Sequence, residues 1–207
     1  MNSSRAITLA FDSAIAGGSI SLLDRADEIA YLVGASEVSK AEDLLSNIDS
    51  MLHENELIRQ DIASIAVSAG PGSFTGIRIG LATALGLKNG LGVSMTSVSA
   101  LATIAAATKT KDVIVAIPMG RRSVCLQRFD DARSFAPPFT LDDDTFIKHI
   151  QDDEQNSYIV HEKLYTTQIA LSHVTNFGSN VALAIGLFAL QNPEQSVEPL
   201  FISKNAQ

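Results

Sequence analysis

The sequence predicts an α/β protein of two lobes, each a mixed sheet that opens with an antiparallel meander and is flanked by helices. Three observations lead there. Short alternating strands separated by turns fill residues 6–33, and a similar strand, turn and strand order returns from residue 113. Between them, residues 62–92 run as strand, glycine turn and helix. Strands mixed with helices in this way call for sheets covered by helical layers. The polar, charged break at 108–112 places the boundary between an expected N-terminal domain, 1–107, and a C-terminal domain, 108–207.

Residues 6–12 set Ile7, Leu9 and Phe11 against Ala6, Thr8, Ala10 and Asp12. This is the period of a strand with one bulky and one small face. Residues 13–18 read as a turn, 19–23 as a second strand, 24–27 as another turn and 28–33 as a third strand. The segment 39–57 predicts a helix. Ser39 and Glu42 fit a capping box, and Ala41, Leu44, Leu45, Ile48, Met51 and Leu52 keep the three-and-four spacing of one apolar stripe.

The central stretch starts with β-branched Ile62, Ile65 and Val67, uncharged after Asp61, which suits a strand buried on both faces. Gly70-Pro71-Gly72-Ser73-Phe74-Thr75-Gly76 ends it, and Ser73 or Thr75 can cap the helix that follows. That helix, over about 76–89, has no polar face: Ile77, Ile79, Leu81, Leu85, Leu87 and Leu91 spread around most of its circumference. It needs cover on two sides, one from its own sheet and the other from a second helix of this chain or of a partner. Gly76, Gly80 and Ala84 recur every fourth residue and form a shallow groove where another backbone can approach.

Further on, 93–95 reads as a short strand, and Ser97 or Ser99 caps a helix through Ala107. The second half is expected to hold strands at 113–117 and 123–129, a third element at 135–140, a helix at 145–151, a strand at 157–161 and a helix at 180–190.

Composition narrows the function. The 207 residues are 46% hydrophobic with a mean hydropathy of +0.18, and no apolar run approaches a membrane span. The segment ahead of the first strand is too short for a signal-peptide core, and the single Cys125 rules out an intrachain disulfide, so a cytoplasmic protein is expected. Formal charge is −8 with a pI near 4.9, and no basic cluster exceeds Arg121-Arg122. Nucleic-acid binding rests on phosphate neutralisation, so any nucleic acid is expected to be held by another subunit.

The glycine turn meets neither common nucleotide pattern. A Walker loop needs Lys and Ser/Thr after its last Gly, where this chain has Ile77 and Arg78, and the dinucleotide fingerprint needs a Gly where Thr75 stands. What remains is a set of amides at a helix N-terminus, with Asp12, Ser13, Gly72, Ser73 and Thr75 as candidate phosphate contacts; Asp12 and Ser13 can equally serve only to hydrogen-bond their turn. No Gly-x-Ser-x-Gly occurs, Cys125 has no histidine near it in sequence, and His53, His149, His161 and His173 lack metal-ligand spacing. No catalytic residue and no metal site are assigned.

Two repeated lobes of this kind resemble the actin/Hsp70/sugar-kinase superfamily, whose lobes are ribonuclease H-like. Within it, Phe11-Asp12-Ser13-Ala14 followed by Ser68-Ala69-Gly70-Pro71-Gly72-Ser73-Phe74-Thr75-Gly76-Ile77-Arg78-Ile79-Gly80 closely resembles the bacterial TsaB (YeaZ) family. The resemblance covers 6–107; beyond that, Glu198-Pro199-Leu200-Phe201-Ile202 is similar to the family's terminal Glu-Pro-x-Tyr-Leu. It implies a non-catalytic subunit of the machinery that makes threonylcarbamoyladenosine at position 37 of transfer RNA. Such a subunit dimerises with itself or with the catalytic paralogue TsaD, the ATPase TsaE joins, and transfer RNA is met only through the complex. The family is also labelled glycoprotease-like or peptidase M22-like after that paralogue, whose His-x-x-x-His motif has no match here.

The chain departs from the family pattern in two places. Relatives open the second lobe with Asp-Ala-Arg-x-Gly-Glu-Val-Tyr; this chain has Pro118-Met119-Gly120-Arg121-Arg122-Ser123-Val124-Cys125 and lacks the acidic residue. Asp12 is then the lone carboxylate, a poor holder of hydrated Mg²⁺. Where relatives often carry a histidine, Val38-Ser39-Lys40 stands. No cofactor is therefore expected, with ATP and Mg²⁺ as the alternative.

Family and residues meet at the two helices, 39–57 and 76–90. Their apolar surface would exceed the roughly 300 to 600 Å² patch that monomers tolerate, so it is expected to be a partner interface in a four-helix bundle. The residues assigned to it are Leu44, Leu45, Ile48, Met51, Leu52, Gly76, Ile77, Gly80, Leu81, Ala84 and Leu85. The rival readings are an actin-fold ATPase or phosphotransferase and an M22-like metallopeptidase.

Overall fold

A computed structural model of the chain describes residues 5–15, 17–34, 43–120, 122–194 and 196–202. β1 (Ile7–Asp12) pairs antiparallel with β2 (Ser19–Asp24), which pairs antiparallel with β3 (Asp27–Val33). β4 (Ile62–Ser68) then joins β1 in parallel, and β5 (Ser94–Val98) joins β4 in parallel. The first sheet therefore runs β3-β2-β1-β4-β5.

The second sheet repeats this plan. β6 (Val113–Pro118) and β7 (Ser123–Asp130) form an antiparallel hairpin, and β8 (Arg133–Ser134) and β9 (Phe139–Asp142) both pair with β7. β10 (Ser157–His161) adds in parallel to β6, and β11 (Val174–Gly178) in parallel to β10. Taking β9 as the third strand of the meander, the order is again third, second, first, fourth, fifth. The expected element at 135–140 is strand only from Phe139, the start of β9; Pro137 and Pro138, which cannot donate to a ladder, lie between β8 and β9.

The helices are α1 (Leu44–Glu54), α2 (Phe74–Leu91), α3 (Ala100–Thr108), α4 (Asp143–Asp152) and α5 (Val181–Gln191). Residues 35–42 lie outside the described residues, and with them Ala41, the Ser39 and Glu42 capping box and the Val38-Ser39-Lys40 substitution; so does Arg121. α1 ends three residues before the expected 57 because Glu56 takes a left-handed conformation (φ 56°). The Glu56 amide donates to the His53 carbonyl (3.1 Å) and the Leu57 amide to the Leu52 carbonyl (2.9 Å), which closes the helix and folds buried Leu57 back onto the core. Ser73 caps α2, its hydroxyl accepting from the Gly76 amide, and Gly92 (φ 70°) ends it. Ser99 caps α3.

The layers alternate helices and sheets. On the outer face of the first sheet, α1 and α2 cover Ile7, Leu9, Phe11, Ile20, Leu22, Ile65 and Val67 with Leu44, Ile48, Met51, Leu52 and Ala84. On its inner face, α5 packs on β1, β2 and β4. α3 lies beside α5 and packs on β6, so one buried cluster joins Ala10, Leu23 and Ala66 to Leu101, Ile104, Val115, Ile117, Cys125, Val181 and Ile185. α4 covers the far face of the second sheet with Phe146 and Ile150. Each large aliphatic side chain fully buried in these clusters contributes about 1.5 to 3 kcal/mol.

The small face of β1 has a clear use in this arrangement. A Cβ added at Gly186 of α5 would lie 3.0 Å from the Ala10 Cβ and 2.7 Å from Leu23 Cδ1. Ala10 opposite Gly186 lets helix and sheet approach closely; that face takes up a helix of the same chain. α3 and α5 also cross the division at residue 108, each packing on the sheet of the other half.

Candidate functional site

The glycine turn between β4 and α2 is built from three directions. Gly70 (φ 98°) turns the chain where few other residues can, its amide donating to the Ser68 hydroxyl and its carbonyl accepting from the Ala100 amide (2.9 Å). The Leu200 amide donates to the Ala69 carbonyl (2.8 Å), and the Val197 amide donates to Ser97, so the C-terminal segment runs beside the edge of the first sheet. The third contact is the turn after β1. The Ser73 amide donates to the Ala14 carbonyl (2.7 Å), and the Ser13 hydroxyl donates to the Gly76 carbonyl (2.9 Å).

This turn fills the glycine notch of α2. A Cβ at Gly76 would collide with the Ser13 carbonyl oxygen and lie 2.8 Å from Ala14 Cα; one at Gly80 would collide with the Ser13 hydroxyl; one at Gly72 would lie 2.7 Å from Ala14 Cβ. The groove expected to receive a partner's backbone is therefore occupied at Gly76 and Gly80 by the chain's own Ser13 and Ala14, and Ala84 is buried in the core under the first sheet's outer face. An all-apolar helix does not reveal from sequence which small residues face inward.

Asp12 is buried at the heart of the turn, with 2% of its surface exposed. Its Oδ2 accepts from the Ile15 amide (2.8 Å) and the Ala14 amide (3.2 Å), while Oδ1 has no partner among the described residues. Burial pushes its pKa up to about 6, against the opposing pull of the Ile15 amide, the nearby Ser68 hydroxyl and the Ala14 amide. Of the other candidate phosphate contacts, Ser13 is buried, Gly72 packs on Ala14, Ser73 is engaged as a cap and Thr75 is exposed. The amides of Ser73 and Gly76, which a phosphate would need, both donate within the chain. Two of the amides at this helix N-terminus are thus engaged within the chain.

Burial pushes the Cys125 thiol up to about 12. His161 is buried, its Nδ1 accepting from the Lys163 amide (3.2 Å), and burial pushes its pKa down to about 4. Among the described residues, no three His, Cys, Asp or Glu side chains converge as a metal site. No helix among them is long and apolar enough to cross a membrane.

The expected interface residues divide by helix face. Leu44, Ile48, Met51, Leu52, Gly76, Ile77, Gly80 and Ala84 are buried, and Leu81 is half-buried. Leu45 (52% exposed) and Leu85 (47%) point outward. Residues missed by sequence reasoning join them: Phe74 (57% exposed) packs against Phe201, ring centroids 4.7 Å apart and planes tilted by 47°, with the Arg78 guanidinium 5.3 Å from the Phe74 ring. Ala82, Gly86 and Gly90 are exposed on α2, and a Cβ at either glycine would meet nothing within 4 Å. The outward notch of α2 lies here. Fixing the helix phase from Ser73 as cap and Ile77 as core would have found it.

Two sheets of one duplicated plan, separated by a shared helical layer, define an actin-like, ribonuclease H-like two-lobed protein. The solved structure of YeaZ from Pseudomonas aeruginosa has this fold, with a TM-score of 0.64 at 20% identity over 96% of this chain and 99% of that one. A family model described as TsaD, tRNA N6-adenosine threonylcarbamoyltransferase, matches residues 36–137. An uncharacterized protein of Mycobacterium leprae is 32% identical over 136 residues, 64% of this chain and 38% of that protein. The tRNA threonylcarbamoyladenosine biosynthesis protein TsaB of Bacillus subtilis is 41% identical over 59 residues, 28% of this chain and 26% of that protein. These matches span less than half the length of the curated relatives. The chain is similar to TsaB (YeaZ) proteins over these stretches and shares the actin-like fold of YeaZ.

Proposed function

We propose that the chain works in the formation of threonylcarbamoyladenosine on transfer RNA, as a non-catalytic subunit that docks the catalytic paralogue TsaD. The observation that carries this is the outward face of α2, where Phe74, Ala82, Leu85, Gly86 and Gly90 leave apolar and small residues open to water. Small residues every fourth position let a second helix come close, and the flanking Leu85 and Phe74 supply apolar area. Leu45 on α1 extends the apolar surface on the same side of the first sheet. The same face serves a second copy of this chain or TsaD, with TsaE completing the assembly in the cytoplasm. Transfer RNA is met through the complex, consistent with a net charge of −8.

Two further observations support a supporting role over a reaction centre. The glycine turn engages its amides within the chain, and Asp12 is held in a buried, self-satisfied turn on its Oδ2 side. The test is a reaction reconstituted from purified components with transfer RNA as acceptor. Omitting this chain should abolish the modified nucleoside, and calorimetry of the chain alone with ATP and Mg²⁺ should give no heat of binding. Modification that proceeds equally without the chain would overturn the proposal, and saturable ATP binding would favour the ATPase reading.

A further inference from the structure

A cavity of about 760 Å³ opens beside the shared helical layer, away from the glycine turn. β3 forms one wall, the first turns of α5 the floor, and the end of β11 with Glu162 the opposite wall. Its volume lies within the range of small-molecule sites, about 300 to 1,000 Å³.

The polar groups in it have one sign. Glu28 is held by the Ser21 hydroxyl (2.7 Å) and the Asn180 side-chain amide (2.8 Å), both donating to Oε1. Glu162 accepts the Ser179 hydroxyl on Oε2. No described residue donates to the second oxygen of either carboxylate, and no Lys, Arg or His is among the described residues lining the cavity. Asn180 also caps α5, its Oδ1 accepting from the Leu183 amide (3.3 Å), so the positive end of that helix is already engaged. The rest of the lining is apolar, including the Tyr31 and Phe177 rings, Leu183 and Leu187. An anion placed here would meet two carboxylates beside a low-dielectric wall, whereas a cation would find two free oxygens.

We infer that this cavity binds a small organic cation, an amine or guanidinium carried on an apolar stem, and that Glu28 and Glu162 select it by charge. This goes beyond the proposed docking role and uses none of its residues. Hexylammonium, with hexanoate and hexanol as matched anionic and neutral controls, is the probe for calorimetry and ligand-observed NMR on the full chain. Hexylammonium should bind saturably, at least about tenfold more tightly than either control. Glu28→Gln and Glu162→Gln each keep an acceptor oxygen for their hydroxyl or amide donors, and should each weaken binding about tenfold with thermal unfolding unchanged. Asp49→Asn, on α1, should leave binding as it is. Equal binding of hexanoate, full affinity in either Gln variant, an equal loss in Asp49→Asn, or no saturable heat at millimolar hexylammonium would each overturn the inference.

Discussion

The hydroxyl of Ser13 donates to the carbonyl oxygen of Gly76 at 2.9 Å, seating the turn after β1 in the notch of α2. The glycine turn of the chain therefore joins two segments of one lobe. Its glycines are required by close approach: Gly72, Gly76 and Gly80 all face residues 13–14.

Glycines on opposite faces of α2 should respond oppositely to a methyl group. Gly76→Ala drives a Cβ into the Ser13 backbone, which cannot rotate away, and should destabilise by about 1 to 3 kcal/mol. Gly86→Ala enters open space in a helix interior and should stabilise by about 0.5 to 1 kcal/mol. Urea midpoints of the two variants test the sign of each change. A destabilised Gly86→Ala would place that residue against a neighbour.

Asp12 should be a liability at neutral pH. Its folded pKa of about 6 lies above the ordinary 3.8, so the folded state holds the proton more tightly than the unfolded chain. The stability tied to that proton is present below about pH 4 and lost as pH rises to about 6, amounting to about 3 kcal/mol at most. His161 runs the other way: its folded pKa of about 4 lies below 6.5, so its contribution is lost as pH falls through that interval. The two overlap in the native profile, and a difference between proteins separates them. Asp12→Asn keeps an acceptor for the Ala14 and Ile15 amides and should raise the unfolding free energy at pH 7, with the gain vanishing near pH 4. A gain independent of pH would remove the charge as its cause.

Neighbouring leucine and isoleucine positions on α1 should separate by face. Ile48 is buried against the first sheet, and Ile48→Ala should cost about 2 to 5 kcal/mol. Leu45 is 52% exposed, so Leu45→Ala should change monomer stability by no more than about 0.5 kcal/mol. Thermal unfolding of dilute protein measures both. A large loss at Leu45 would place that side chain against a neighbour in the folded monomer.

Much of the fold was legible because its signals are local. The alternation of Ile7, Leu9 and Phe11 with Thr8 and Ala10 announced the two unlike faces of β1, and the return of a meander after residue 113 announced the duplication. β11 was not legible: Val-Thr-Asn-Phe-Gly carries too few apolar residues to mark a strand, and it is defined by pairing with β10. α5 was legible as a helix but not in its placement on the first sheet, since the Ala10 and Gly186 contact spans most of the chain. Which residues of α1 and α2 are exposed was only partly legible. Leu45 and Leu85 stood in one list with residues that the fold buries, because apolar residues surround α2 and hide its phase, and for the same reason Gly76 and Gly80 were singled out where Gly86 and Gly90 are the exposed glycines.

The most direct test of the docking surface is light scattering of the purified chain, alone and mixed with TsaD, beside the Leu85→Asp and Gly86→Leu variants. The wild-type chain should form a dimer or a one-to-one complex with TsaD, and both variants should remain folded monomers that fail to associate. A wild-type chain that stays monomeric and leaves TsaD unbound, or variants that associate as well as the wild type, would contradict the account.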